Sequence, residues 1–323
     1  MTQFLIRRTF WALFLFVAAT MITYLIFFVV PSDPAALAAG KATKPEIVAH
    51  IRHVLHLDLP IYQQYWLFVW NLVRHGSFGY SFVNGLPVRT TLGQEIPVTA
   101  SIVFGGVILY LLIAIPTGVI SALRPRSILD RTGMVFVLIG ISAPSIWIGL
   151  IFIYLISFRL GLTPIGDYCN LIPTHQTGVC SGPAQWAYHL ILPWLTLAVG
   201  SAALYTRLIR ANVMETMSED YVRTARAKGA SPTRVLIQHV LRNSMLQVVT
   251  ILGMDLGLLL GGVVFIEIVF GMPGLGQQLV LAADRFDLPV VVGIVMFATL
   301  SVITFNFLVD VLYAWLDPRI RLT

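Results

Sequence analysis

Charge is scarce in this chain. Only 11% of its 323 residues are Asp, Glu, Lys or Arg, and 57% are hydrophobic. An ordinary soluble domain carries about 25% charged residues, so the mean hydropathy of +0.84 points away from a water-soluble fold. The 21 Lys and Arg outnumber the 15 Asp and Glu, for a net charge of +6. No basic patch with interleaved aromatics occurs, which argues against nucleic-acid binding. There are two cysteines, Cys169 and Cys180, and neither they nor the scattered His175 and His189 show metal-ligand spacing. A phosphate-binding loop is missing as well. It needs Gly, four residues, Gly, then Lys and Ser or Thr. The one Gly-Lys pair, Gly40-Lys41, has Ala35 in place of the first Gly and Ala42 in place of the hydroxyl. No Ser-His-Asp arrangement stands out. The sequence predicts a chain that is not an enzyme and that holds no metal or nucleotide of its own.

What the chain does have is long apolar runs. A bilayer crossing takes about 20 mostly apolar helical residues. Six runs qualify: Phe10 to Val30, Val98 to Ala122, Met134 to Phe158, Ala187 to Thr206, Met245 to Phe265 and Leu288 to Leu308. Hydrocarbon offers the backbone no water, so each is predicted helical. With both termini inside, fourteen of the Lys and Arg fall on the inner side and seven on the outer, five of those in one long loop. Positive charge favours the cytoplasmic side. The reading is an all-α membrane protein with six transmembrane helices and cytoplasmic termini. An alternative for the N-terminus is a cleaved signal peptide, Arg7-Arg8 with a cleavage site at Ala36-Leu37-Ala38. Its apolar run is longer than signal peptides use, which favours a retained helix over residues 1–30.

Residues 31–97 form a predicted external segment. Glu46 to Leu55 shows helical periodicity, and Tyr62 to Trp70 is an amphipathic stretch whose aromatics suit the membrane interface or the outer ends of the bundle. Residues 98–323 make the remaining five-helix core. The outer loop at about 159–186 carries Cys169 and Cys180. A disulfide between them would remove roughly 3 kcal/mol of loop entropy from the unfolded chain; two unpaired thiols are the alternative.

The inner loop, about 207–243, is the most informative. Met217 to Lys228 reads as a short helix with Glu219 and Asp220 at its start and Arg226 and Lys228 at its end, which suits the helix dipole. Gly229 supplies a left-handed stop. Ser231 then caps a new helix, with Pro232 at its first position. Ala225, Ala227, Gly229 and Ala230 would let another backbone approach closely. Helix, sharp turn, helix suits docking on a partner, although a solvated connector would also be charged.

Asp220 to Ser231, followed by Val235-Leu236 and His239 to Asn243, resembles the coupling loop of binding-protein-dependent ABC importer permeases, nearest to the dipeptide and oligopeptide branch. That family's general motif is Glu-Ala-Ala, three residues, Gly. Aligned on Gly229, this chain has Arg223-Thr224-Ala225 and keeps only the second Ala. Phe265 to Gly276 is similar to the family's stretch at the outer end of the fifth helix, and Asp310 to Arg321 to its C-terminal signature. Arg7-Arg8 and Pro31 to Pro34 resemble its first helix and exit. The resemblance implies a type I importer-like permease that pairs with a second homologous permease, two ATPase subunits that bind ATP and Mg, and an extracytoplasmic substrate-binding protein, in a bacterial inner membrane. It implies that Asp220, Tyr221, Arg223, Thr224, Ala225, Ala227, Lys228 and Gly229 form the ATPase-coupling element. It also implies di- or oligopeptide substrates, with glutathione, nickel complexes and oligosaccharides as family alternatives.

Three acidic residues stand apart. Asp255 lies within the fifth run, where a charge is costly unless it faces the bundle interior. It is a candidate for the translocation pathway, or for the working carboxylate of a proton-coupled secondary transporter or a channel that works without ATP; a buried structural carboxylate is the other reading. Gly253, Gly257 and Gly261 on the same run have the small-xxx-small spacing of close helix contact, within the chain or between permeases. Glu267 and Asp284 are candidates for the external mouth, where solvated carboxylates are also common.

Overall fold

A computed structural model describes residues 2–26, 35, 45–54, 58–172, 180 and 182–316. Among them the chain is almost wholly helical; Tyr80 and Pro87 form an isolated antiparallel bridge. The helices are α1 (Thr2–Tyr24), α2 (Pro45–Val54), α3 (Ile61–His75), α4 (Val88–Leu123) and α5 (Ile128–Ser142). Then come α6 (Ser145–Arg159), α7 (Pro183–Met217), α8 (Asp220–Ala227) and α9 (Pro232–Leu259). Last are α10 (Val264–Val269), α11 (Leu275–Asp284) and α12 (Leu288–Leu316). Helices α1, α4, α7, α9 and α12 are each long and apolar enough to cross a membrane. The pair α5–α6 adds a sixth if it makes one crossing. The residues 31–34, the segment Ala36-Leu37-Ala38 and the end of the C-terminal signature lie outside the described residues.

The expected third span, Met134 to Phe158, is not one helix. It breaks at Ala143-Pro144 with a bend of 101°. Pro144 has no N–H to continue the ladder, and it pushes the residue before it out of the helical region. Ala143 accordingly has ψ 122°. The fifth span also differs. Its helix starts earlier, at Pro232, and stops at Leu259, before a turn in which Gly262 takes φ 129°. Most of the expected inner loop is the continuation of α7 and the beginning of α9, so little of it is loose chain.

Helices α4 and α7 form the centre of the bundle. Ile102, Tyr110, Leu190, Leu192, Tyr205 and Ile209 are all buried there. Glycine permits the close approach: a Cβ on Gly106 would meet the Leu197 side chain at 2.6 Å, and one on Gly118 would meet Ile209 at 2.9 Å. The glycine stripe that runs from α9 into the turn after it packs within the chain, against α12. Gly257 lies under the Val302 backbone, and Gly261 under Ala298.

Two polar clamps hold the ends. At one, the Asp130 carboxylate accepts both Nε and Nη2 of Arg210 at 2.7 and 3.0 Å, and the Arg126 N–H at 2.8 Å. That fixes the α4–α5 turn to α7, while Ser127 caps α5 through the Asp130 N–H. At the other, Asp287 accepts from the Ser81 hydroxyl and from the Phe82 N–H, tying the 77–87 loop to the start of α12.

The α9–α12 seam has little slack. A Cβ at position 257 would lie 2.7 Å from Val302 Cα, whereas one at position 200 would find its nearest neighbour at 4.0 Å. We expect Gly257→Val to lower the thermal midpoint in detergent, by about 1–3 kcal/mol of overpacking. Gly200→Ala should leave it nearly unchanged.

Candidate functional site

Helix α8 is short, sharply bounded and half embedded. It starts at Asp220, three residues later than the sequence pattern suggests, because α7 runs on to Met217 and Ser218 turns the chain by donating to the Glu215 carbonyl at 2.7 Å. Val222 is fully buried in the main core, and Ala225 and Ala230 pack against that core. Asp220, Arg223, Thr224, Ala227 and Lys228 are exposed on the outer side. This helix of about two turns therefore divides into an inward apolar face and an outward, mostly polar one.

The exit from α8 is stereochemically fixed. Gly229 adopts φ 80°. Its N–H donates to the Arg226 carbonyl at 3.0 Å, and the Ala230 N–H donates to the Ala225 carbonyl at 3.2 Å. This is the paired bonding of a Schellman stop, in which the residue at the left-handed position is usually glycine. Ser231 then accepts from the Arg234 N–H and Pro232 opens α9. Arg226 borders a cavity of about 290 Å³ between α8 and the start of α9, lined also by Leu123, Met217, Val235 and Val240.

Tyr221 is placed differently from its neighbours. The residue is 40% exposed, and its hydroxyl accepts from the Asn243 side-chain amide at 2.8 Å. Asn243 belongs to α9, so the phenol links α8 to a membrane-crossing helix. The link was not visible in the sequence, since nothing in the pattern pairs positions 22 residues apart.

Twelve residues beyond Asn243, about 18 Å along a helix, α9 carries Asp255. Its carboxylate accepts the Tyr205 hydroxyl of α7 at 2.7 Å. The Tyr205 ring lies 4.8 Å from that of Tyr110 on α4, so three crossing helices meet here. Tyr205 and Tyr110 are buried, while Asp255 is only partly so. No salt bridge among the described residues involves Asp255. Its neighbours on the same side of α9, Met254 and Leu258, are exposed.

Glu267 is a candidate for the external mouth, with a solvated carboxylate as the alternative; it is 0% exposed, so the solvated alternative does not hold. One oxygen accepts from the Thr99 hydroxyl at 2.8 Å and the other from the Gln277 N–H at 2.8 Å. The carboxylate sits on the first turn of α11, where unpaired N–H groups and the helix dipole favour an anion. Thr99 in turn accepts from the Leu275 N–H at 2.9 Å. Gly274 leaves room for the carboxyl, since a Cβ there would come within 2.6 Å of Oε1. Burial nonetheless pushes the Glu267 carboxyl above the usual carboxylate range, against these hydrogen bonds, which favour the anion. Asp284, by contrast, is exposed at the far end of α11.

Cys169 and Cys180 are bonded to each other. The ring of His189 is the third member of the cluster they make, but two sulfurs joined in a disulfide are not free thiolate ligands. The His189 Nδ1 instead lies 3.2 Å from both the Gly166 and Asp167 carbonyls.

The Glu267 cap is testable. Glu267→Ala leaves the Gln277 N–H and the Thr99 hydroxyl without their buried partner and should cost about 1–3 kcal/mol. Faster hydrogen exchange in Leu275–Asp284 should accompany it. Glu267→Gln keeps an acceptor oxygen and should cost less.

Comparison with known proteins places these features. The family described as binding-protein-dependent transport system inner membrane component matches residues 114–322. Its N-terminal counterpart matches residues 1–103. The chain is similar to the dipeptide transport system permease protein of Escherichia coli (strain K12), at 36% identity over 99% of each chain. It is also similar to the probable D,D-dipeptide transport system permease protein of the same strain, at 38% identity over 98% of this chain and 97% of the other. A putative peptide transport system permease protein of Brucella abortus (strain 2308) is 36% identical over 99% of each.

Proposed function

The chain belongs to the family of binding-protein-dependent transport system inner membrane components, and we propose that it is the translocation subunit of an ATP-driven peptide importer, worked from outside the bundle through α8. It is a multi-pass inner-membrane permease and not an enzyme. Dipeptides and other short peptides are the substrates its relatives' names support. The α5–α6 pair makes the third of six crossings, and both termini lie in the cytoplasm together with α8. A second permease, two ATPase subunits that carry ATP and Mg, and an extracytoplasmic binding protein complete the assembly.

The observation that carries this reading is the construction of α8. Its outer face, with Asp220, Arg223, Thr224, Ala227 and Lys228, is free to enter a groove on an ATPase. Its inner face cannot move alone. Val222 is locked in the core, and Tyr221 is bonded to Asn243. Closure of the ATPase pair therefore shifts α9 with α8, and α9 carries Asp255. ATP enters only through its different affinity for two arrangements of the assembly, which sets the population of inward- and outward-open states.

Asp255 lines the pathway on this reading. Two sides of α9 are occupied, one by α12 through the glycine stripe and one by Tyr205 of α7. The third side joins a partly exposed carboxylate to Met254 and Leu258. A charge facing lipid is costly, so this side faces the second permease or the water between them.

Gly229→Val forces a β-branched residue into the left-handed region, at a local cost of about 1–2 kcal/mol. We expect it to insert and to assemble, and to lose uptake about tenfold, the effect of ~1.4 kcal/mol on a coupling equilibrium, while ATP hydrolysis continues. Uptake by right-side-out vesicles should need nucleotide loaded inside them and survive a protonophore. Uptake that is abolished by the protonophore and indifferent to ATP would instead indicate a proton-driven secondary transporter, for which Asp255 is the candidate coupling group.

A further inference from the structure

Helix α3 is too short to cross a bilayer, at 15 residues, yet it is bound to the flank of a helix that does. The Tyr65 hydroxyl lies 2.9 Å from the Thr20 hydroxyl and 3.3 Å from the Val17 carbonyl of α1. The Tyr24 hydroxyl donates to Gln64 at 3.1 Å, and the Tyr24 and Phe68 rings are 5.5 Å apart. Val17 lies seven residues before the end of α1, about 10 Å along the helix axis. One side of α3 thus reaches well below the end of an apolar span whose own outward residues, Phe10, Phe14 and Met21 among them, are exposed.

The rest of α3 has two more faces. Tyr62, Trp66, Trp70 and Val73 recur at spacings of four, four and three, and so form one stripe. All are exposed, Val73 to 79%. Trp66 and Trp70 stack at 6.5 Å, and the Arg74 guanidinium lies 5.4 Å over the Trp70 ring. Asn71 lies on the remaining side and is exposed too. Aromatic rings with an arginine at their polar edge suit the boundary between acyl chains and headgroups, where the ring is buried and the cation reaches phosphate.

We propose that α3 lies in the leaflet reached by the C-terminal end of α1, with its Tyr62–Trp66–Trp70–Val73 stripe against phospholipid acyl chains and Arg74 on the headgroup phosphates. The attachment to α1 sets the depth. An exposed apolar stripe on a helix bound at that depth against an apolar span meets lipid, because the acyl chains that surround the span exclude water there. The helix thereby anchors the segment between α1 and α4 to the membrane surface, so that the 77–87 loop it leads into is held at a fixed height over the start of α12. This holds whatever drives transport, so its failure and that of the importer reading are separable.

The two native cysteines are joined to each other, so single introduced cysteines are selective reporters. Trp66→Cys, Val73→Cys and Asn71→Cys, each labelled with a small fluorophore, are reconstituted in the whole assembly in phosphatidylethanolamine–phosphatidylglycerol vesicles. The labels at 66 and 73 should lose most of their emission when the lipid chains are brominated and little in aqueous iodide. The label at 71 should do the reverse. Equal iodide quenching at all three positions would overturn the proposal, and so would labels at 66 and 73 that neither quencher reaches, since another subunit would then cover the stripe. Assembly and ATP turnover of each variant exclude misfolding as the source of either result.

Discussion

The hydrocarbon core accepts no unpaired backbone amide, and the rest of this molecule follows from that constraint. It makes every crossing a helix and drives irregular chain to the ends of helices or into protein-lined interior. Where the ladder does break, the structure supplies substitutes. The turn after α9 returns three consecutive N–H groups, from Leu260, Gly261 and Gly262, to carbonyls of the preceding helix. Glu267 and Thr99 then receive the first amides of α11. A carboxylate in that position does the work of a backbone carbonyl, which is why it is buried.

Sequence reasoning succeeds here wherever the determinant is local. Gly229, Ser231 and Pro232 specify a stop and a restart within four residues, and the structure places the left-handed glycine and the serine cap at those positions. The apolar runs are equally local, and so the helical class and most crossings were legible. The break in the third run was legible too, in the dipeptide Ala143-Pro144, but length and hydropathy smooth over a single proline. The long-range side-chain partners of Glu267, Asp130 and Asp255, which are Thr99, Arg210 and Tyr205, were not legible. Each lies 50 or more residues away, on another helix, and no periodicity within one helix records which residue faces it from the next.

The outward face of α8 repays the same kind of argument. Arg223 lies 3.6 Å from Asp220, and both are strongly exposed, so they contribute little to holding the helix in place. What holds it is mainly apolar, Val222 below and Ala225 and Ala230 at the seam, with one hydrogen bond at the edge from Asn243 to the phenol of Tyr221. A helix seated this way can exchange its surface charges without loosening its seat. That separation explains how Arg223-Thr224 can stand where the general family pattern has other residues while Gly229 remains.

Stiffness between α8 and Asp255 is the remaining requirement for a lever. From Asn243 to Asp255 the chain is uninterrupted helix, and glycine gives it close contact with α12 without a side chain to bend around. The π-wound turn at Val235–Leu241 precedes Asn243, so the change in winding lies on the α8 side of the joint. A displacement delivered at Asn243 therefore meets a rigid rod first, and Tyr205 is the first polar contact in that rod's path that must yield or move with it. On this construction the bond between Asp255 and Tyr205 is where motion of α9 becomes a change in packing against α7.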